Sequence, residues 1–133
     1  MLVIDASVAL SAAMTRDGFA RIERFDLVAP PLLWSETVSV LHEHVWRREI
    51  SPDLARASLA ALAEARIRRR APARLHAEAW RVADELGWAK TYDAEYVALA
   101  RILGCRLLTR DERLLRGAAR VVEAIGPIDL GHV

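Results

Sequence analysis

The chain has 133 residues, is 53% apolar, and carries 19 basic against 18 acidic side chains for a net charge of +1. That suffices for one globular domain with a real core, taken as residues 1–133, and is too little for two. The balance gives no global basic signature, no stretch reaches the roughly 18 apolar residues that span a bilayer, and the lone Cys105 excludes an internal disulfide or a multi-cysteine metal site.

The N-terminus has no basic lead and only a short apolar run, so a signal peptide is not expected and a cytoplasmic location is. Lys90 is the only lysine, which leaves nearly all positive charge to arginine. Arginine suits phosphate because its fork donates two parallel hydrogen bonds, although a GC-rich coding sequence enriches it too.

Leu2-Val3-Ile4 is a short apolar run of the kind that forms a strand buried on both faces. Asp5 stands at its end, and Val8 to Met14 reads as a helix. Arg16-Asp17-Gly18 breaks the pattern before a possible short helix over Phe19 to Phe25. Leu27-Val28-Ala29 is a second strand, stopped by Pro30-Pro31, which suit the entry to a helix from about Leu32 to Glu49. The expected core stripe of that helix is Trp34, Val38, Leu41 and Val45. Trp46, off the stripe, is a candidate partner or dimer contact.

Ser51 caps a helix that enters through Pro52 and runs to about Ala65. Ile67 among Arg66, Arg68, Arg69 and Arg70 is either an edge strand or a helix tail. A helix over about Ala73 to Leu86 closes on Gly87. The next runs from Tyr92 to Leu103, with Tyr92, Tyr96, Leu99 and Leu103 as its stripe and Gly104 as its stop. Cys105 to Thr109 is a strand, Asp111 to Gly117 a short helix, Val121-Val122 a last strand, and the tail after Gly126 has no expected structure. Strands alternating with helices make an α/β fold, a three-layer α/β/α sandwich around a mainly parallel sheet.

Four carboxylates fall at expected helix starts: Asp5, Glu36, Asp93 and Asp111. Each has a structural role open to it. A cap contributes about 0.5–2 kcal/mol and a favourable dipole contact about 0.3–1 kcal/mol. Asp5 and Asp111 both follow strands, so a parallel sheet brings them to one edge. Acids that converge to about 4 Å repel by about 4 kcal/mol at an effective dielectric of about 20. A divalent cation relieves that conflict, and an oxygen-only donor set favours Mg²⁺ or Mn²⁺ over zinc.

Val3-Ile4-Asp5-Ala6-Ser7-Val8, Glu36 after Pro-Pro-Leu-Leu-Trp-Ser, Thr91-Tyr92-Asp93-Ala94-Glu95-Tyr96-Val97-Ala98-Leu99-Ala100, and Leu108-Thr109-Arg110-Asp111-Glu112-Arg113-Leu114-Leu115 together resemble a PIN-domain ribonuclease. The likeness is nearest to the VapC toxins of bacterial type II toxin–antitoxin pairs and covers essentially the whole chain. It implies a PIN-like fold and metal-dependent endoribonuclease activity. Asp5, Glu36, Asp93 and Asp111 match the family's acidic ligands, and Ser7 and Thr109 its supporting hydroxyls. Ser39 stands where many relatives have Asn.

The implied reaction is attack by a water of lowered pKa on phosphorus, leaving a 5′-phosphate and a 3′-hydroxyl. The implied partners are an RNA substrate and a small VapB-like antitoxin, with toxin homodimers forming heterotetramers or larger assemblies. Two alternatives stay open: a catalytically silent RNA- or protein-binding module, and an RNA-maturation nuclease. His42-Glu43-His44 reads as a solvated face, since neighbouring helical positions diverge. His76 and His132 are isolated, and Cys105 reads as a small core residue.

Overall fold

A computed structural model describes residues 1–130. Its sheet has five strands, β1 (Leu2–Ile4), β2 (Leu27–Ala29), β3 (Ile67–Arg69), β4 (Arg106–Leu108) and β5 (Ala124–Ile125). They pair in parallel throughout, in the order β3-β2-β1-β4-β5. The helices are α1 (Ala6–Met14), α2 (Leu32–Trp46), α3 (Pro52–Glu64), α4 (Leu75–Leu86), α5 (Tyr92–Leu103), α6 (Glu112–Ala118) and α7 (Pro127–Leu130).

Consecutive strand residues point to opposite faces. Leu2, Val3 and Ile4 are all buried, as are Leu27, Val28 and Ala29, so both faces of the sheet are covered. α1, α2 and α3 pack on one another, while α4 packs on α5 and α5 lies against β1 and β4. This is the expected three-layer sandwich.

The glycine stops are as read. Gly87 and Gly104 close α4 and α5 in the left-handed conformation, at φ of 72° and 64°. Ser51 caps α3 by accepting from the Leu54 N–H at 3.1 Å. The arginine-rich segment resolves as an edge strand, where Arg68 grips the Asp26 carboxylate with two hydrogen bonds of 2.9 and 2.7 Å.

Four local expectations are corrected. The buried stripe of α2 is Leu33, Thr37 and Leu41, and Val38 is 42% exposed. Thr37 tolerates burial because its hydroxyl donates to the Leu33 carbonyl at 2.7 Å, which lets the helix present a polar residue to the core. Trp34 is half-buried beneath the Arg69 guanidinium, 4.7 Å from the ring centre. In α5 the stripe shifts to Tyr96, Val97, Leu99 and Ala100, and Tyr92 is 58% exposed.

Val121 and Val122 form no strand. Their N–H groups donate to the Ala118 carbonyl at 3.0 and 2.9 Å and close the turn after α6, so the last strand begins later, where Ala124 pairs with Leu107. Pro127–Leu130 is a short helix, with Leu130 buried. His132 lies outside the described residues. No helix among the described residues is long and apolar enough to cross a membrane.

Candidate active site

From β1 the chain moves through β2 to β3 along one half of the sheet, then returns to place β4 on the other side of β1. A crevice opens where an α/β sheet reverses in this way, at the carboxyl ends of the two strands concerned. Those ends deliver Asp5 and the segment Thr109 to Asp111.

Ile4 pairs with Leu108, so Asp5 and Thr109 stand side by side one residue beyond the strands. Asp5 is 4% exposed and its two oxygens are occupied differently. Oδ1 accepts from the Ser7 hydroxyl at 2.6 Å and from the Val8 N–H at 3.1 Å, capping α1. Oδ2 accepts from the Thr109 hydroxyl at 2.6 Å. Each hydroxyl then accepts from the β4–α6 turn, Ser7 from the Arg110 N–H at 2.9 Å and Thr109 from the Asp111 N–H at 3.0 Å. Asp111 caps α6, its Oδ1 accepting from the N–H groups of Arg113 at 2.9 Å and Leu114 at 3.3 Å.

The other two acids come from helices on opposite sides. Glu36, on α2, is half-buried, and its Oε1 accepts from the Tyr96 hydroxyl at 2.9 Å. Asp93, in the first turn of α5, is exposed. It is nevertheless an acid that both Asp5 and Glu36 sense. Burial first, and then the charge of Asp93, hold Asp5 above the usual carboxylate range, against the pull of the Ser7, Thr109 and Val8 hydrogen bonds. Burial raises Glu36 too, with further pushes from Asp93, Asp5 and Glu95. Desolvation raises Asp93, followed by the charge of Asp111, and Arg113 offsets part of this. All four sequence-derived acids, and both hydroxyls, are therefore gathered at one end of the sheet.

Glu36 and Asp93 open into a cleft of about 570 Å³, which Trp88, Lys90, Tyr92 and Arg113 also line. Asp5 and Asp111 are not part of that lining. Among the described residues no three His, Cys, Asp or Glu side chains are drawn together closely enough to hold one ion as they stand. The donor chemistry fits a hard divalent cation all the same. The donors are oxygens, three of the four acids are raised by burial and mutual repulsion, and among the described residues none of the four forms an ion pair with a basic side chain. Mg²⁺ keeps several waters and takes only one or two protein carboxylates directly.

Tyr96 belongs to the core stripe expected from the sequence, which points to no functional role for Lys90, Trp88 or Arg113. A signal for Tyr96 was present. A tyrosine in an otherwise aliphatic stripe carries a hydroxyl that needs a partner when buried, and Glu36 is that partner.

The PIN domain family model matches residues 2–120. VapC ribonuclease Mb0985 of Mycobacterium bovis and Ribonuclease VapC9 of Mycobacterium tuberculosis are each 37% identical to the chain over 116 residues, covering 86% of it and 88% of the relative. The crystal structure of PAE2754 from Pyrobaculum aerophilum superposes with a TM-score of 0.69 at 27% identity, over 97% of this chain and 92% of that one. A structure of FitAB bound to an IR36 DNA fragment shares the fold, with a TM-score of 0.64 at 12% identity over 96% and 95% of the two chains. The chain belongs to the PIN-domain family, alongside relatives named VapC ribonuclease.

Proposed function

We propose that this protein is a Mg²⁺- or Mn²⁺-dependent endoribonuclease and the toxin of a toxin–antitoxin pair. The observation that carries this reading is that Asp5, Glu36, Asp93 and Asp111 lie at the same end of the sheet, around the β1/β4 switch point, and that among the described residues none of them forms an ion pair with a basic side chain. Asp5, Asp93 and Asp111 would carry most of the ion binding, partly through the waters that Mg²⁺ keeps. Once bound, the ion supplies the missing positive charge and lowers the pKa of a water for attack on phosphorus.

The chain's own groups do the rest. Ser7 and Thr109 both donate to Asp5, which favours its ionised form and fixes its direction. Tyr96 holds one oxygen of Glu36, leaving the other to orient the attacking water or to serve a second ion. Hydrolysis of this kind has no use for the ribose 2′-hydroxyl, so the ends would be a 5′-phosphate and a 3′-hydroxyl. A small antitoxin covering the cleft would silence the enzyme, with toxin homodimers joined in a heterotetramer or a larger assembly. The likeness to relatives named VapC ribonuclease supports the ribonuclease reading.

Incubation of the purified chain with cellular RNA tests the chemistry. Cleavage should require Mg²⁺ or Mn²⁺, stop in EDTA, and fall by about 100-fold or more in Asp93→Asn and Asp111→Asn. Cutting that persists in EDTA, or 2′,3′-cyclic phosphate ends, would overturn the mechanism. Induced expression that leaves growth and translation unaffected would remove the toxin role.

A further inference from the structure

We propose that the cleft beside Glu36 and Asp93 seats one nucleotide of single-stranded RNA next to the scissile phosphate, with Tyr92 as its stacking face and Lys90 and Arg113 as its phosphate grips. That this nucleotide lies beside the phosphate to be cut rests on the nuclease reading. The cleft's volume of about 570 Å³ lies within the range of about 300–1,000 Å³ that takes small organic ligands. Its lining mixes the acids Glu36 and Asp93 with the cations Lys90 and Arg113.

Among the described residues neither Lys90 nor Arg113 forms an ion pair, so both are available to an anion. Arg113 lines the same cleft as Glu36 and Asp93. A positive charge thus stands within reach of the acids without being tied to them. A polyanion approaching a carboxylate cluster needs such a charge at its margin.

Tyr92 supplies the other half. It opens α5 one residue before Asp93 and is 58% exposed on the cleft wall. An aromatic face in water beside two cations is the combination that holds a single strand, by stacking a base and contacting its phosphates. A duplex keeps its base faces covered and could not use it. Trp88 builds the wall from behind. Its ring lies against Gly117 of α6, where a Cβ would come within 2.6 Å of it, and this contact ties the loop carrying Lys90 to the helix carrying Arg113.

Fluorescence anisotropy of a short, mixed-sequence oligoribonucleotide with the full chain in EDTA, where nothing is cut, tests the assignment. Tyr92→Ala should weaken binding roughly 5- to 150-fold, with Tyr92→Phe restoring it. Lys90→Ala and Arg113→Ala should each flatten the slope of log affinity against log salt by about 0.7. The assignment is overturned by a wild-type salt slope in both alanine variants, by wild-type affinity in Tyr92→Ala, or by a wild-type chain that does not hold the strand. A protein that binds with these signatures and never cuts RNA in Mg²⁺ would keep the strand site and refute the nuclease reading.

Discussion

The Thr109 hydroxyl donates to Asp5 at 2.6 Å and accepts from the Asp111 N–H at 3.0 Å, so one oxygen joins the ends of β1 and β4 to the start of α6. Thr109→Val keeps the shape and removes both bonds. Stability should fall by about 1–3 kcal/mol, since a charged acceptor and a backbone donor lose their partner. RNA cleavage should fall by about 10–100-fold, as for other groups that orient a ligand. Thr109→Ser should recover most of the cleavage. Urea unfolding and initial rates on the three proteins check this, and equal rates in Thr109→Val and wild type would remove the positioning role.

Tyr96 is buried and its hydroxyl points to Glu36. Tyr96→Phe preserves packing, so the expected stability cost is only about 1–2 kcal/mol. The larger effect should be on turnover, with the affinity for uncut RNA in EDTA unchanged. A loss of affinity with turnover intact would contradict this assignment.

Gly117 gives Trp88 its seat. Gly117→Ala gains helix propensity of up to about 1 kcal/mol but pushes the indole outward. Melting should stay within a few degrees of wild type while RNA affinity drops. Calorimetry and anisotropy run in parallel check it, and unchanged affinity would mean that the Trp88 wall does not shape the cleft.

Partial desolvation at the cleft wall, and then the Asp111 charge, hold the Asp93 carboxyl above its ordinary 3.8. Between 3.8 and that raised value, the folded chain keeps a proton that the unfolded chain has released. Stability from this group is therefore full at low pH and is lost as pH climbs through the folded value. In EDTA, Asp93→Asn should match wild type near pH 3.5 to 4 and become the more stable of the two toward about pH 7. Saturating Mg²⁺ should narrow the difference by stabilising the ionised wild type. Melting curves across pH, with and without the ion, measure it. A difference that does not grow with pH would mean that the negative charge at Asp93 costs the fold nothing.

Much of this was legible in the chain because its strands are short and buried on both faces. Leu2-Val3-Ile4 followed by Asp5 could only be a strand running into a helix, and the same held for Leu107-Leu108 before Asp111. The phase of α2 was not legible, because a threonine bonding back to its own helix hides among polar residues, while Trp34 and Val38 look like core. Val121-Val122 misled for a related reason: β-branched residues suit a strand, yet here they close a turn after α6. The acids could be picked out one by one. Their convergence depends on β4 lying beside β1, which no local pattern encodes, and the role of Tyr96 depends on α5 facing α2 across the crevice.

The wiring around Asp5 bears on how an inert form of this protein is best made. Ser7 and Thr109 own one hydroxyl proton each, and both are given to the same carboxylate. An asparagine there offers a single oxygen, so one of the two protons would be left facing an NH₂ group. Asp5→Asn would then disturb the turn that carries Arg110 and Asp111, as well as silencing the chemistry. Asp93→Asn leaves that wiring untouched, which makes it the cleaner decoy for fishing out bound RNA or a protein antagonist from cells.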